Sequence, residues 1–412
     1  MMRLLVITNR YPEDADDSAS PFVPHFVNAL ISCGVEVDVL TPSYSPEFNP
    51  NTADAGTGLC ADDGRVRVFR FESGATEPVG SWKLGNPLSW VRLTRFMRHG
   101  QRKGARLCAE NSYDHILALW ALPSGHFAQS LSRRFQIPYS VWCLGSDIYT
   151  WANRPLIRDR IAGILTGAAH VFADGADMCR RIKSWLHIDS EFLPSFRPLQ
   201  GLEGVELPSL TDSPRFLYLG RLHRDKGIFE LLMAFAHLRM ALPDARLRYV
   251  GDGPQRRELA RLAAEMHLYH PDERERGSVT IDGPVSHDGV VTALRECDWV
   301  VIPTQSDSIP LVFTEAVQAM RPVIGTDVGD LGAMIRQYGM GHVSPSADSK
   351  DLARTMIRAV HDPVFDLQGR ADLLDLFDPR RVARNFCAHV FTSEPRPPSS
   401  LPGKTIAQMI RV

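Results

Sequence analysis

The chain has 412 residues, a length that allows two or three domains. Of these residues 44% are hydrophobic and 23% are charged, a composition typical of a soluble protein. A formal net charge of −2 gives no whole-molecule argument for nucleic-acid binding. Seven cysteines without a Cys-x-x-Cys pair favour a reducing cytoplasm over a disulfide framework or a zinc site. The N-terminal apolar stretch is too short for a secretion signal, and no apolar run approaches the ~18 residues of a membrane span. We therefore expect a soluble or peripheral cytoplasmic protein.

The first half of the chain alternates strand and helix patterns. Residues 4–8 predict the first strand of a parallel sheet, and a helix at 22–33 leads through Gly34 into a second strand at 35–41. Later strand patterns occur at residues 66–71, 115–119, 139–143 and 170–173. This alternation predicts an α/β fold.

Two polar loops interrupt this first half. One contains Asp14, Asp16 and Asp17, which suggest either a metal site or, more simply, a solvated loop. The other, at residues 47–63, is rich in Gly, Asn and Asp and predicts a surface loop.

Residues 82–106 form a basic segment without a carboxylate. On a helical wheel one stripe of ~100° carries Arg92, Arg95, His99, Arg102, Lys103 and Arg106. The other side carries Trp90, Leu93, Phe96, Met97 and Leu107. The pattern predicts either a surface helix packed on its own domain or a helix that lies on a membrane surface. Gly100 and Gly104 weaken the helix prediction itself.

A proline- and glycine-rich stretch at residues 193–214 is the best candidate for a linker between domains. The predicted division is an N-terminal domain at 1–195, a linker at 196–214, a C-terminal domain at 215–375, a helix at 376–392 and a disordered tail at 393–412.

Two cations lie on a predicted strand-to-helix loop of the second half. Residues 216–219 predict a strand, and a helix begins at Ile228 after the loop at 220–227. The Arg221 guanidinium can bond two oxygens at once and the Lys226 ammonium acts as a point charge, so the pair suits a diphosphate. Taken alone, a solvated basic turn is an equally good interpretation.

A second strand–loop–helix pattern begins with the buried strand at residues 299–302. Pro310 fits the first helical turn, where the amide it lacks would be unpaired anyway. The Leu311 and Val312 amides then point outward at the positive helix end, where phosphate binds.

Two carboxylates flank this phosphate site, with Asp307 before the helix and Glu315 inside it. Polar groups on both sides of a phosphate suggest a nucleotide sugar as ligand. For Asp307, a simple helix N-cap is the alternative.

Five motifs of the second half occur in the order found in retaining glycosyltransferase family 4: GRLHRDKG at 220–227, YVGDGP at 249–254, IDGPV at 281–285, DSIPLVFTEAVQAM at 307–320 and PVIGTDVGD at 322–330. They cover roughly residues 213–375, and the chain resembles this family. The resemblance implies a GT-B fold, in which two Rossmann-like domains face each other across a cleft. It also implies that the last helix crosses back to the N-terminal domain and that the donor binds without a metal or other cofactor.

The resemblance also assigns roles to residues. Arg221 and Lys226 would stabilise the departing diphosphate, and Asp307, where the family usually has Glu, would hold the donor sugar. Glu315 would hold the ribose hydroxyls. The full predicted donor-binding set is Gly220, Gly251, Gly253, Gly283, Pro310, Leu311, Val312 and Glu315.

Acceptor-side residues are predicted in the first half. The Trp-x-x-Pro-x-Gly motif that starts at Trp120 resembles family members that act on glycans or lipids. Ser146 and Asp147 match a family motif, although many relatives carry a His, which contacts the donor sugar, in place of Leu144. For Asp147, a cap of the following helix is the alternative.

The prediction is a retaining glycosyltransferase that moves a hexose from a nucleoside diphosphate sugar to a glycan, lipid-linked or small-molecule acceptor hydroxyl. A sugar-nucleotide epimerase or a glycosyl phosphorylase on the same fold remains open. Because of Leu144 and Asp307, a non-catalytic nucleotide-sugar binder also remains open. We expect no nucleic-acid partner and a cytoplasmic location. Peripheral contact with an anionic membrane through residues 82–106 is an open alternative.

Overall fold

The computed structural model describes residues 2–13, 20–45, 48, 56–57, 66–76, 87–209, 213–270 and 277–392. Outside these residues lie Asp14, Asp16 and Asp17, most of the loop predicted at 47–63, the first part of the basic segment and the tail predicted at 393–412. The described chain divides into two compact units. The first runs to Phe196 and resumes at Asp378, and the second is Arg197–Phe377.

The first unit is a sheet whose strands are separated along the chain by helices. Its elements are β1 (Arg3–Ile7), α1 (Phe22–Ser32), β2 (Glu36–Ser43), β3 (Gly56–Thr57), β4 (Val66–Glu72), α2 (Pro87–Glu110), β5 (His115–Leu119), α3 (Ser124–Phe135), β6 (Tyr139–Cys143), α4 (Ser146–Tyr149), α5 (Pro155–Thr166), β7 (His170–Ala173), α6 (Ala176–Leu186) and β8 (Glu191–Phe192). The strand order is β3-β4-β2-β1-β5-β6-β7-β8, and only the β3–β4 pair is antiparallel among the described strands. Every residue of β5 and β6 is buried, as expected for parallel strands covered on both faces.

The second unit is a six-stranded parallel sheet. Its elements are β9 (Arg215–Leu219), α7 (Ile228–Leu238), β10 (Arg246–Val250), α8 (Arg256–Glu265), β11 (Val279–Ile281), α9 (His287–Glu296), β12 (Trp299–Ile302), α10 (Leu311–Gln318), β13 (Val323–Thr326), α11 (Leu331–Tyr338), β14 (Gly341–Ser344), α12 (Ser349–His361) and α13 (Leu367–Leu376). The strand order β11-β10-β9-β12-β13-β14 is the doubly wound order of a Rossmann fold. The predicted α/β class with Rossmann-like sheets is confirmed.

The strand order of the second unit reverses direction between β9 and β12. These strands pair in parallel, with Phe216 opposite Trp299 and Leu217 opposite Val300. The chain winds outward from this pair on both sides, so the loops that follow β9 and β12 diverge at the same edge of the sheet. In open α/β sheets, ligands bind at such a switch point.

The last helix, α14 (Pro379–Thr392), belongs to the first unit. Phe386 is fully buried there. Its ring centroid lies 5.6 Å from that of Phe26 in α1 and 5.3 Å from that of Phe172 in β7. The chain therefore leaves the first unit once, builds the second unit and returns.

Residues 197–209, predicted as part of the linker, are instead fastened to the second unit. Arg295 donates to the Gly201 carbonyl at 2.7 Å, and Arg321 donates to the Glu206 carbonyl at 2.9 Å. Proline and glycine give this stretch an irregular path, but arginine side chains satisfy its carbonyls. The boundary therefore falls at Phe196 rather than across the whole predicted linker.

The basic segment contains a helix of 24 residues, α2, despite its two glycines. A Cβ added to Gly100 would lie 2.6 Å from the Phe127 ring, and one added to Gly104 would lie 2.8 Å from Leu131. Both glycines therefore allow α2 to pack closely on α3. Trp90, predicted on the apolar side, is instead 43% exposed. None of the described helices is both long enough and apolar enough to cross a membrane.

Candidate functional site

The loops after β9 and β12 meet through an ion pair. Lys226, which ends a single 3-10 turn, places its Nζ 2.5 Å from Oδ2 of Asp307. The Thr304 hydroxyl donates to the same carboxylate oxygen at 3.0 Å. The two charged side chains are 32% and 24% exposed, so ligand and solvent can reach both. The structure thus brings together two of the three predicted catalytic residues.

Asp307 does not cap the helix that follows it. The N-cap of α10 is Pro310, which makes no side-chain capping bond, and the Asp307 carboxylate is held by Lys226 and Thr304 instead. The helix-cap interpretation of Asp307 is therefore wrong.

Arg221 lies on the loop after β9 with an exposed side chain. The buried Tyr218 hydroxyl donates to the Arg221 carbonyl at 2.7 Å and so fixes the start of this loop. Burial, and then the negative charge of Asp307, raise the pKa of Tyr218, which keeps its hydroxyl a donor. Within the described part of the chain, the Arg221 guanidinium forms no ion pair. Its backbone is therefore fixed while its charge is available to a ligand.

Glycines bring the loops of this edge into backbone contact. Gly227 has φ 70°, and an added Cβ would overlap the Pro303 carbonyl in the loop after β12. Gly251 has φ 137° and approaches the Gly220 carbonyl in the same way, while Gly253 approaches the carbonyl of Leu222. Loop packing therefore explains Gly251 and Gly253, and their nucleoside contacts stay predictions.

Gly283 differs from the other predicted donor-site glycines. A Cβ added there would lie 3.6 Å from the Arg256 guanidinium, which is ordinary van der Waals contact. The backbone carbonyl of Gly283 accepts from the Gly251 amide at 3.2 Å. Gly283 therefore supports the glycine loop after β10.

Helix α10 begins at Leu311, one residue later than predicted. Pro310 has φ −61° and ψ 135°. Because this ψ is extended rather than helical, Pro310 is the last residue of the loop and lies outside the first turn of α10. Its carbonyl accepts from the Phe313 amide at 2.9 Å, and no side chain caps the helix. The Leu311 and Val312 amides are thus available at the positive end of α10, and phosphate binding there stays a prediction.

Glu315 is buried inside α10 and paired with an arginine that the sequence analysis missed. Its Oε1 lies 2.8 Å from Nη2 of Arg197, and the two side chains are only 6% and 10% exposed. Burial raises the pKa of Glu315, and the Arg197 charge opposes that rise. Arg197 stands in no local motif. It lies far from Glu315 along the chain, so local sequence patterns do not reveal that the two side chains pair.

On the predicted acceptor side, Asp147 is only 3% exposed. Its carboxylate accepts from the amides of Ala121 at 3.1 Å, Ile148 at 3.2 Å and Leu144 at 3.3 Å. Burial raises the pKa of Asp147, and these amide bonds oppose the rise. Asp147 therefore joins the loops after β5 and β6, and direct contact with an acceptor does not fit this arrangement.

The cap interpretation of Asp147 also fails. Gly145 is the N-cap of α4 and makes no side-chain capping bond. Ser146 is exposed and Trp120 is partly exposed, so acceptor contact stays a prediction for these two residues. Trp120 packs edge-on against Phe22 at 6.3 Å between ring centroids.

Known proteins resemble this chain in sequence and in fold. Residues 213–362 match the family described as Glycosyl transferases group 1. The putative teichuronic acid biosynthesis glycosyltransferase TuaC of Bacillus subtilis is 28% identical over 91% of this chain and 93% of its own. Sucrose-phosphate synthase of Thermosynechococcus elongatus has a TM-score of 0.72 at 23% identity, over 94% of this chain and 97% of its own. Anabaena HepE, solved with UDP and glucose, has a TM-score of 0.66 at 15% identity, over 95% and 100%.

The fold is that of the GT-B glycosyltransferases, and the chain is a glycosyltransferase. The segment that matches glycosyl transferases group 1, residues 213–362, contains the switch-point loops described above. This assignment is compatible with the predicted resemblance to family 4. The chain is therefore an enzyme, and the non-catalytic binder is set aside.

The contact between Gly227 and Pro303 predicts that Gly227→Ala destabilises the second unit and disorders the Lys226–Asp307 pair. The matched control is Gly204→Ala, because Gly204 has φ 68° but open space around it. A left-handed backbone alone costs about 1–2 kcal/mol for an L-residue. Denaturant unfolding should give that loss for Gly204→Ala and a larger one for Gly227→Ala. Equal losses would mean that the loops do not depend on this close approach.

Proposed function

We propose that the enzyme is a retaining glycosyltransferase that moves a hexose from a nucleoside diphosphate sugar to an acceptor hydroxyl. The observation that carries the proposal is the switch-point arrangement of the second unit. Arg221, Lys226 and the uncapped start of α10 all lie on the two loops that diverge there. Cations and helix amides bind phosphate oxygens. The complex of Anabaena HepE with UDP and glucose supports UDP as the first nucleotide to test.

In the proposed mechanism the protein stabilises the leaving group. The acceptor oxygen forms a bond to the anomeric carbon on the face from which the diphosphate leaves, as the bond from that carbon to phosphate breaks. The acceptor proton passes to the departing phosphate oxygen. Arg221, Lys226 and the α10 amides stabilise the charge on the diphosphate, which is electrostatic catalysis.

We propose that this stabilisation needs no metal or other cofactor. The arginine, the lysine and the helix amides together supply positive charge and donors to the diphosphate.

Asp307 and Glu315 have different proposed roles. Asp307 orients Lys226 and accepts from a hydroxyl of the donor sugar, while Glu315 accepts from the ribose. A glycan hydroxyl is the proposed acceptor, supported by the similarity to TuaC, a putative glycosyltransferase of teichuronic acid biosynthesis. Release of a sugar 1-phosphate on addition of inorganic phosphate would instead indicate a phosphorylase.

The leaving-group role predicts that Arg221→Ala and Lys226→Ala each reduce transfer from UDP-glucose about 100–1,000-fold, the usual cost of one such donor. Each should also reduce the thermal stabilisation by UDP, since bound ligand stabilises by mass action. Arg224→Ala is the matched control, because Arg224 lies in the same turn but pairs with Glu258 at 3.1 Å. Near-normal turnover in a folded Arg221→Ala, Lys226→Ala double variant would refute the assignment.

Asp307→Asn should separate binding from turnover. The substitution removes a negative charge 2.5 Å from Lys226 Nζ, so the ammonium is released to the diphosphate. UDP affinity, measured by calorimetry, should stay equal to the wild-type value or increase. Turnover should fall at least ~100-fold, because a sugar-hydroxyl contact that tightens in the transition state is lost. Full turnover in this variant would mean that Asp307 only holds the loop and makes no catalytic contact with the donor sugar.

We also propose that α2 places the enzyme on an anionic membrane. Trp90 and Val91 are 43% and 59% exposed, beside the exposed Arg92, Arg98 and Arg102. Within the described residues these three arginines have no acidic partner. Exposed apolar groups next to unpaired cations are typical of interfacial helices.

A groove beside the exposed arginines of α2 also supports contact with a membrane. It has a volume of about 350 Å³ and is lined by Gln101, Arg102, Ala105, Arg106, Ala109 and Arg134. Arg106 pairs with Glu110 at 2.7 Å, so Arg102 and Arg134 are the cations free to meet a lipid phosphate.

Replacement of Arg92, Arg98 and Arg102 by Gln should weaken binding to vesicles with phosphatidylserine. At about 1 kcal/mol per cation the loss is about 100-fold in the partition coefficient, and salt should reduce wild-type binding similarly. The control replaces Arg261, Arg336 and Arg358, which are exposed on the second unit, and gives the same net charge. Equal losses in both triple variants would show that α2 is an ordinary surface helix.

A further inference from the structure

The carboxylate of Glu315 is held from one side by Arg197. Glu315 Oε1 lies 2.8 Å from Arg197 Nη2, and this is the side-chain contact that the described structure gives the guanidinium. The buried Arg197 Nε has no hydrogen-bond partner among the described residues. The pair is therefore end-on rather than bidentate, and within the described chain Glu315 Oε2 makes no hydrogen bond.

The backbone around Arg197 is anchored to the same helix by a second side chain. Gln318 Nε2 donates to the Arg197 carbonyl at 3.0 Å, and Gln318 Oε1 accepts from the Leu199 amide at 2.8 Å. Glu315 and Gln318 lie one turn apart on α10, so the segment runs along one face of the helix. The guanidinium position is thus fixed relative to the Glu315 carboxylate.

We propose that Arg197 is a positioning residue of the donor site, which orients the Glu315 carboxylate so that its second oxygen accepts from the paired hydroxyls of a ribose. The proposal rests on the proposed function, in which Glu315 meets the nucleotide. Arg197 itself need not touch the ligand.

The charge of Arg197 has a second consequence. Burial raises the pKa of Glu315, and Arg197 is the charged group that opposes the rise. Other charged groups approach α10 and the 197–200 segment without reaching this carboxylate. Arg370 of α13 donates to the carbonyls of Val317 and Gln318, and His287 of α9 accepts from the Gln200 amide at 3.3 Å.

His287 does not replace Arg197 as a counter-charge. Burial and then the Arg197 charge lower the pKa of His287, and Asp288 beside it opposes that shift. Without Arg197, the Glu315 carboxylate should therefore bind a proton at a higher pH than in the wild type. A protonated carboxyl is a poorer acceptor for two hydroxyls.

The test compares UDP with its analogue that lacks both ribose hydroxyls, by calorimetry between about pH 5 and pH 8. Wild type should prefer UDP about 10–100-fold at the upper end of this range, where the Glu315 carboxylate is charged, the worth of hydrogen bonds to a charged group. Arg197→Gln should lose the preference at a higher pH than wild type does, and should keep a several-fold smaller preference even at the upper end, because the fixed geometry is lost with the charge. Arg197→Lys should keep the wild-type pH profile with a several-fold smaller preference, because an ammonium retains the charge but not the fixed geometry.

Gln318→Leu is the matched control, since it releases the 197–199 backbone but leaves the Arg197 charge. It should lower the melting temperature and leave the pH profile unchanged. A folded Arg197→Gln that keeps the wild-type preference and pH profile would overturn the proposal. If Arg197→Gln does not fold, an undiminished preference in Arg197→Lys overturns it.

Failure of the proposed function would give a different result. Glu315→Gln would then leave UDP affinity unchanged, and wild type would not distinguish UDP from the analogue. In that case the ribose role of Glu315 is wrong, whatever Arg197 does.

Discussion

The second unit depends on backbone contact between loops that leave neighbouring strands. Gly227 meets the Pro303 carbonyl and Gly251 meets the Gly220 carbonyl, with no side chain between them. Because these loops are packed atom to atom, the spacing between Lys226 and Asp307 is set before any ligand arrives. A charge site fixed in advance has little to reorganise during reaction, which is the basis of electrostatic catalysis.

Much of this unit follows from local sequence patterns. Buried apolar runs mark the strands, and parallel strands bring their carboxyl ends to one edge. Lys226 and Asp307 each lie on the loop that follows such a run, so their convergence is predictable. The start of α10 is predicted to within one residue, because the conformation of Pro310 decides which side of the boundary it occupies.

Contacts between distant segments could not be predicted in this way. Arg197 has no motif of its own, and its role as partner of Glu315 depends on a segment that the composition marked as linker. Asp147 stands in a motif that suggests a ligand, yet folding turns its carboxylate towards three backbone amides. Gly100 weakens the helix prediction because the sequence does not show that α3 lies against this glycine.

The return of the chain through α14 makes the second unit an insertion within the first. Both ends of Arg197–Phe377 are junctions with one core, and Phe386 completes that core after the second junction. An exchange of the second unit between related enzymes therefore requires two cuts in the chain, one at each junction. A single crossover would combine the first unit of one parent with helix α14 of the other. Phe26 and Phe172 would then pack against the other parent's residue in place of Phe386.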